Sequence, residues 1–229
     1  MEKLQEYEKR VINVFEDLKR NNKIIIKEIS ENFRDLSEEI VKKRKQRTES
    51  NYKINLPEIY FPYFFSIDYL KLNWNIDFGD YFETGGEIYI TNITGMFMNP
   101  LTTFDKNNVP PHEAKLLKQG YRFFDFRSAS GDMAAVKVNN GQIEPNVYWV
   151  PAAEEPIKLS ISYPEYMEHI LKTRGLHFWE YLFSDLSFDE VDFNLEEELT
   201  ERLPYLTMLF PDEDFSEYFE RFERMKSKV

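Results

Sequence analysis

The sequence predicts an α+β fold, with a central mixed and mostly antiparallel sheet flanked by helices. Two patterns support this prediction: strand-like alternation through residues 121–161, and apolar residues at helical spacing near both ends of the chain. The chain has 229 residues, of which 42% are hydrophobic and 16% aromatic. Because that is enough apolar material for one substantial core, we expect one main domain with appendages.

Residues 1–50 are predicted to form a helical N-terminal extension. Over residues 2–20, and again over Lys27–Lys45, apolar side chains recur on one face of a helix. The second helix ends in a basic run, residues 42–47, followed by a polar linker over residues 48–55. We interpret the basic run as a helix C-terminus whose cations face the negative end of the macrodipole. One basic cluster on a strongly acidic chain is weak evidence for nucleic-acid binding.

Residues 51–186 are predicted to form the main α+β domain. Its apolar run Phe65–Leu72 fits either a helix or a strand, since a run this short cannot decide between them. Trp74 is expected to be an aromatic anchor. Gly85-Gly86 is interpreted as a turn that precedes an alternating strand over Glu87–Ile93.

The second half of this domain carries its strongest local signals. We predict that residues 121–161 form consecutive strands of one sheet. The strands are joined in part by a tight turn at Asn140-Gly141, because both turn positions tolerate a positive φ angle. A capping box at Ser162 predicts a helix over Tyr163–Thr173, with Gly175 beyond its end.

Residues 187–229 are predicted to form an acidic helical region packed on the domain. They contain 13 acids and 5 bases, and so carry −8 of the net charge of −12. A second capping box at Ser187 opens the region. Aromatic residues at helical spacing then predict a stripe that packs the tail onto the domain: Phe215, Tyr218, Phe219 and Phe222.

Composition and charge limit the possible partners and location. The chain has no cysteine, which excludes disulfides and thiolate metal sites and is compatible with a reducing cytoplasm. The first residues lack an apolar signal core, and no segment approaches the roughly 18–20 apolar residues of a membrane span. We therefore expect a soluble, cytoplasmic protein. Its charge repels nucleic acid and anionic lipid and attracts a basic partner.

Residues suited to catalysis are sparse. The three histidines, His112, His169 and His177, lack metal-ligand spacing, and the chain has no phosphate-binding glycine loop or nucleophile motif. We therefore expect no catalytic residue, no metal and no cofactor. Paired carboxylates leave one enzymatic alternative, a carbohydrate-active enzyme. Trp74, Trp149 and Trp179 would either line a ligand groove or lie wholly or partly in the core, and the core is favoured.

A series of short motifs follows in order between residues 54 and 183. They are Leu56-Pro57, an aromatic segment ending in Leu72-Asn73-Trp74, Gly85-Gly86 before the strand Ile88–Ile93, the strand Phe124-Asp125-Phe126, Gly131-Asp132, the hairpin at Asn140-Gly141, and the helix with Tyr166, Ile170 and Leu171. This order resembles the SUKH superfamily, which includes bacterial toxin-immunity proteins and fungal regulators of cell-wall synthesis. The structural anchors expected from these motifs are Trp74, Gly85, Gly86, Asp125, Gly131, Asp132, Gly141 and Trp179.

The resemblance implies a non-catalytic domain that binds and neutralises a secreted toxin domain, often a nuclease. An acidic chain suits that role, because a nuclease surface is basic in order to hold phosphate. On this interpretation the candidate partner-binding residues are Asp212, Glu213 and Asp214. A regulatory scaffold of cell-wall synthesis signalling and the carbohydrate-active enzyme remain alternatives. We expect neither nucleic acid nor a membrane as the partner.

Overall fold

A computed structural model of the chain describes residues 6–29, 37–65, 69–79, 82–98, 109–128 and 130–228. These residues include one seven-stranded sheet, in which the strands lie side by side in the order in which they occur in the chain. The predicted α+β class is confirmed. Neighbouring strands pair antiparallel throughout the described sheet, and one isolated parallel bridge joins Asn55 to Gln142.

Helices and strands are interspersed along the chain. The strands are β1 (Ile24–Ile29), β2 (Tyr69–Asp77), β3 (Phe82–Thr91), β4 (Tyr121–Phe126), β5 (Met133–Asn139), β6 (Gln142–Val150) and β7 (Ile157–Lys158). The helices are α1 (Glu6–Arg20), α2 (Glu38–Tyr52), α3 (Ile93–Met98), α4 (Pro111–Lys118), α5 (Tyr163–Thr173), α6 (Leu195–Leu209) and α7 (Ser216–Lys226). Three 3-10 turns cover Glu58–Tyr63, Trp179–Phe183 and Phe188–Glu190.

The N-terminal segment differs from its prediction. The helix predicted over Lys27–Lys45 is wrong at its start, because residues 24–29 form β1 and pair with β2 at the edge of the sheet. Three consecutive isoleucines open β1, and β-branched side chains favour a strand. The helix itself starts later, after Ser37, whose side chain accepts a hydrogen bond from the backbone N–H of Ile40. The predicted helical positions 33 and 36 lie outside the described residues.

The basic run, residues 42–47, also lies in a different part of its helix than predicted. Helix α2 continues to Tyr52 and ends at Lys53, which adopts a left-handed conformation. Residues 42–47 are therefore in the middle of the helix, and residues 48–52 are helical instead of linker. Lys43 forms an ion pair of 2.6 Å with Glu39, one turn earlier. Pairs at this spacing stabilise a helix without any contribution from the macrodipole.

The local predictions for the main domain agree with the structure more closely. The run over Phe65–Leu72, left open between helix and strand, enters β2 at Tyr69, and residues 66–68 lie outside the described part. Strands β4 to β7 are consecutive neighbours in one sheet, as predicted for residues 121–161. The turn at Asn140-Gly141 has φ angles of 51° and 76°. Strand β7 is short, and beyond it Leu159 makes only an isolated bridge with Ser184.

Both capping boxes are present. Helix α5 has the predicted bounds, and its Ser162 and Glu165 exchange hydrogen bonds as a capping box requires. The box at Ser187 caps a 3-10 turn, not an α-helix.

The C-terminal helices pack on the hydrophobic core. Helices α6 and α7 contribute to the same hydrophobic core as the sheet, through Leu195, Leu199, Leu203, Leu206, Leu209, Tyr218, Phe222 and Met225. Trp74 and Trp179, both fully buried, belong to this core, so the predicted core role is confirmed. No helix in the described ranges has the length and apolar character needed to cross a membrane.

Candidate functional site

The three predicted partner-binding acids lie in the loop between α6 and α7, and each has a different environment. The Glu213 carboxylate forms a bidentate ion pair with the guanidinium group of Arg174, in which Nη1 donates to Oε2 at 2.9 Å. Asp214 accepts a hydrogen bond of 2.9 Å from the backbone N–H of Ser216, which lowers the pKa of its carboxyl. Asp212 is exposed and makes no ion pair with a described residue.

Arg174 connects this loop to the core. Its side chain is only 4% exposed, and its guanidinium carbon lies 4.3 Å from the ring centre of Phe210. Its backbone carbonyl accepts a hydrogen bond of 2.8 Å from Nε1 of Trp74. Because Arg174 is nearly buried, Glu213 compensates a charge that the fold would otherwise leave unpaired. Glu213 therefore has a structural role in addition to any role in binding.

A shallow cleft of about 470 Å³ adjoins the loop. Its walls include the end of α1, at Asp17 and Arg20, and the loop itself, at Asp212 and Glu213. Asp17 and Arg20 approach each other to 3.6 Å, so most of the charge around the cleft is already paired. The cleft therefore offers no cluster of uncompensated acids.

The paired glycines in β3 provide space for Trp74. A Cβ atom on Gly85 would lie 2.2 Å from the Trp74 ring, and one on Gly86 would lie 2.7 Å from the backbone of Gly175. The prediction of a turn at Gly85-Gly86 is therefore wrong: both residues lie inside a strand. Glycine is required there because a large ring and a second backbone approach the strand closely.

The remaining predicted anchors have identifiable contacts. Gly131 and Gly141 adopt φ angles of 83° and 76°, which favour glycine. The Asp132 carboxylate accepts a hydrogen bond of 2.9 Å from the backbone N–H of Ala152. These residues hold the connections on either side of β5, and none of them is arranged for chemistry on a ligand.

A buried polar network surrounds Asp125. Nη2 of Arg127 lies 3.3 Å from Oδ2 of Asp125 and 2.5 Å from Oε1 of Glu180, and all three side chains are at most 2% exposed. The Tyr166 hydroxyl donates to Asp125 at 2.7 Å. Glu87, also buried, accepts hydrogen bonds from the backbone and the hydroxyl of Ser128. Sequence analysis identified only Asp125 of this network.

The network holds more acids than bases. Asp125 and Glu180 share the Arg127 guanidinium group, whereas Glu87 is bonded to Ser128. One carboxylate oxygen of Glu87 and one of Glu180 are buried without a hydrogen-bond partner among the described residues. Burial raises the pKa of Asp125 and raises that of Glu180 to about 7, against the opposing charge of Arg127. These groups connect β3 and β4 to the turn at residues 179–183. Because they lie beneath the surface, they do not contact solvent.

Two of the three histidines, His169 and His177, are partly buried in the fold. Nδ1 of His169 lies 2.8 Å from the Tyr218 hydroxyl, and burial lowers the pKa of this histidine. Burial lowers the pKa of His177 to about 3. Across the described residues there is no group of three or more histidine, aspartate or glutamate side chains that could hold a metal ion.

A second group of exposed acids runs from the segment after the 3-10 turn at Trp179–Phe183 into the first half of α6. Residues 185–201 contain eight acids and no base, and seven of the acids are exposed. We call these seven the acidic face: Asp185, Asp189, Glu190, Asp192, Glu196, Glu197 and Glu201. Sequence analysis counted the tail as a whole and missed this grouping. The signal that could have located it is the complete absence of a base over seventeen residues.

Only part of the acidic face has a structural explanation. Glu190 belongs to the capping box at Ser187, and Glu197 accepts a hydrogen bond from Asn194 at the start of α6. Glu196 lies 4.0 Å from Lys226. The four other acids make no hydrogen bond or ion pair through their side chains with the described residues: Asp185, Asp189, Asp192 and Glu201.

Comparison with known proteins identifies no relative: no family model, curated protein or solved structure matches this chain. The resemblance to the SUKH superfamily thus stays a prediction from the order of the sequence motifs.

Proposed function

We propose that this chain is a non-catalytic protein-binding module of the SUKH type. In this proposal it is a cytoplasmic immunity protein that binds the basic surface of a secreted toxin domain and neutralises it. We infer the functional class from the resemblance of the sequence to the SUKH superfamily, and the chemistry of the partner from the surface charge.

The acidic face is the observation on which the proposal depends. Asp185, Asp189, Asp192 and Glu201 are exposed and form no ion pair with a described cation. Their mutual repulsion disfavours the compact state. The acids of the α6 N-terminus are stabilising in their own right, because they face the positive end of the helix macrodipole, whereas these four gain no comparable local interaction. A basic partner would supply the missing counter-charges.

The placement of the perturbed carboxylates supports a binding role over the carbohydrate-active alternative. A glycosidase needs two carboxyl groups that flank a bound sugar. Among the described residues, the two carboxyl groups with raised pKa, Asp125 and Glu180, are at most 1% exposed and are held by Arg127. In their present arrangement they cannot contact a sugar.

The test uses a toxin domain encoded beside this gene. We expect co-expression to restore growth to cells that produce the toxin domain, and the purified proteins to associate more slowly as salt rises, while dissociation changes less. Growth rescue without a complex, or a complex that leaves the toxin active, would contradict the immunity role. A complex that leaves the toxin active would favour the regulatory scaffold.

A further inference from the structure

The 3-10 turn at Trp179–Phe183 joins the buried polar network to helix α7. Glu180, on this turn, belongs to the network. Phe183, at the end of the same turn, packs against α7. The Arg221 guanidinium carbon lies 4.0 Å from the Phe183 ring centre, and the Tyr218 ring centre lies 6.1 Å from it. A change that opens the turn therefore acts directly on the packing of α7.

Glu180 is held less firmly than Asp125, although both carboxylates share the Arg127 guanidinium group. Asp125 also accepts a hydrogen bond of 3.1 Å from the backbone N–H of Tyr89 and one of 2.7 Å from the Tyr166 hydroxyl. The second oxygen of Glu180, by contrast, is buried without a hydrogen-bond partner in the described part of the chain. An ionised carboxylate is costly to bury unless hydrogen bonds and counter-charges surround it. Glu180 is therefore the acid of this pair that takes up a proton.

The groups near Glu180 that carry charge or can titrate come from β3, β4, α5, the segment just before the turn and the turn itself. They are Glu87, Asp125, Arg127, Tyr166, His177 and Tyr181. His177 is neutral, because burial lowers its pKa to about 3. Burial raises the pKa of both tyrosines, so they are neutral as well. An ionised Glu180 thus competes with Asp125 for the positive charge of Arg127.

The backbone just before the turn is strained. Phe178 adopts a φ angle of 71°, a left-handed conformation that is unfavourable for a bulky side chain. Such a conformation persists only where the surrounding structure holds it in place. Loss of one of the contacts that hold the turn therefore allows this strain to relax.

We infer that the turn at Trp179–Phe183 is a pH-sensitive latch for helix α7: a proton on Glu180 keeps the turn closed, and loss of that proton opens the turn and loosens α7. The latch goes beyond the proposed function, because it depends on no partner. It is a property of the free chain.

The direction of the effect follows from the burial of Glu180. Burial raises the pKa of Glu180 from 4.5 to about 7, although the charge of Arg127 opposes the shift. The stability that the proton gives to the closed turn is fully present below about pH 4.5 and is lost as the pH rises through about 7. From about pH 6 to about pH 8, the equilibrium constant for opening should therefore rise about tenfold.

His169 acts on the same elements in the opposite direction. Its ring centre lies 4.3 Å from that of Phe183, and its Nδ1 lies 2.8 Å from the Tyr218 hydroxyl. Burial lowers the pKa of His169, so it gains its charge only in acid. The charged groups around it lie on α5 and α7: Glu165, Lys172, Glu217 and Arg221. Because protonation of His169 would loosen α7 as the pH falls, it cannot imitate an opening that grows as the pH rises.

The experiment is hydrogen exchange of the whole chain, measured by mass spectrometry from about pH 6 to about pH 8 and corrected for the intrinsic pH dependence of amide exchange. The test variant is Glu180→Gln, which cannot ionise. The matched control is Glu58→Gln, at an exposed glutamate outside the network. The amides of β5 and β6 report global unfolding.

We expect the protection of the turn and of α7 to fall together by about tenfold over this range, in the wild type and in Glu58→Gln. Protection should not fall in Glu180→Gln. At each pH it should be lower for the turn and α7 than for β5 and β6, because the latch opens without global unfolding. Equal protection of all these elements would overturn the latch. So would protection of α7 that does not follow that of the turn, or a Glu180→Gln variant with the pH dependence of the wild type.

A second measurement needs no variant at Glu180. The carboxyl-carbon NMR signal of Glu180 in the wild-type chain should titrate with a midpoint near 7. A midpoint near 4.5, the value of an unperturbed glutamate, would mean that the closed turn holds no proton, and the latch would be rejected.

Discussion

Replacing Glu213 with alanine tests whether the loop between α6 and α7 supports the fold. The Arg174 side chain is 4% exposed and that of Glu213 is 38% exposed. Removing one partner of a fully buried pair costs about 3–5 kcal/mol, because the other charge is left buried and unpaired. An exposed pair contributes only about 0–1 kcal/mol. Since only one partner is buried here, we expect a loss of about 2 kcal/mol in the free energy of unfolding.

Urea unfolding and thermal unfolding measure this loss. For a chain of this size, about 2 kcal/mol corresponds to a fall of about 4–8 °C in the melting temperature. The matched control is Asp212→Ala, because Asp212 is adjacent, exposed and without an ion pair among the described residues. We expect the control to change stability by no more than about 0.5 kcal/mol.

A second substitution isolates the contribution of the ion pair. Arg174→Met keeps an unbranched, polarisable side chain beside Phe210 and removes the charge. The double variant Arg174→Met/Glu213→Ala should therefore lose less stability than the sum of the two single variants. Strict additivity, or equal stability of the Glu213→Ala and Asp212→Ala variants, would refute the structural role assigned to Glu213.

Three further predictions concern the interior. Trp74→Ala and Trp179→Ala should each lower the free energy of unfolding by about 3–5 kcal/mol, because both rings are fully buried. An unchanged urea midpoint for either variant would contradict that burial. Gly85→Ala should cost about 1–3 kcal/mol and alter the tryptophan fluorescence, because its Cβ atom would lie 2.2 Å from the Trp74 ring. Native stability with native fluorescence would show that the site tolerates a side chain. Burial raises the pKa of Glu180 from 4.5 to about 7, so the stability that its proton contributes is present below about pH 4.5 and is lost as the pH rises through about 7. Glu180→Gln cannot ionise and should gain stability relative to the wild type between about pH 5 and about pH 7.5, by on the order of 3 kcal/mol. A difference between the two proteins that does not vary with pH would exclude this titration.

Elements with local signals could be predicted from the sequence, and those that depend on distant pairing could not. The bounds of α5 follow from the capping box at Ser162 and from Gly175, which act within a few residues. Strand β1 forms because Ile24 and Ile26 pair with Ile76 and Trp74 of β2, far along the chain. Ile29, at the end of β1, also fitted the helical spacing of the apolar residues that follow it in the sequence, so the pattern could not distinguish the two.

Apart from Asp125, the buried network had no sequence signal. Arg127 and Glu180 are 53 positions apart, and the sheet brings them together. In the sequence Glu180 cannot be distinguished from the other acids of this chain, because only the structure shows that it is buried. Gly85-Gly86 shows the opposite case: the residues were identified as anchors, but the prediction of a turn omitted the Trp74 ring that requires glycine inside a strand.

Charge counting could not separate the acids that support the fold from those that do not. Glu213 pairs with a nearly buried arginine, and Asp214 caps the start of α7, so folding by itself accounts for both. Asp192 and Glu201 have no such role among the described residues, and their repulsion from neighbouring acids opposes folding. If these two acids bind a partner, the Asp192→Asn/Glu201→Gln variant should bind that partner less tightly and should be at least as stable as the wild type. Such a trade-off between stability and function is usual at a binding site. Urea unfolding of the free variant measures the second half of this relation. A loss of stability would mean that these acids support the fold through contacts of their own, and the argument from uncompensated charge to a basic partner would fail.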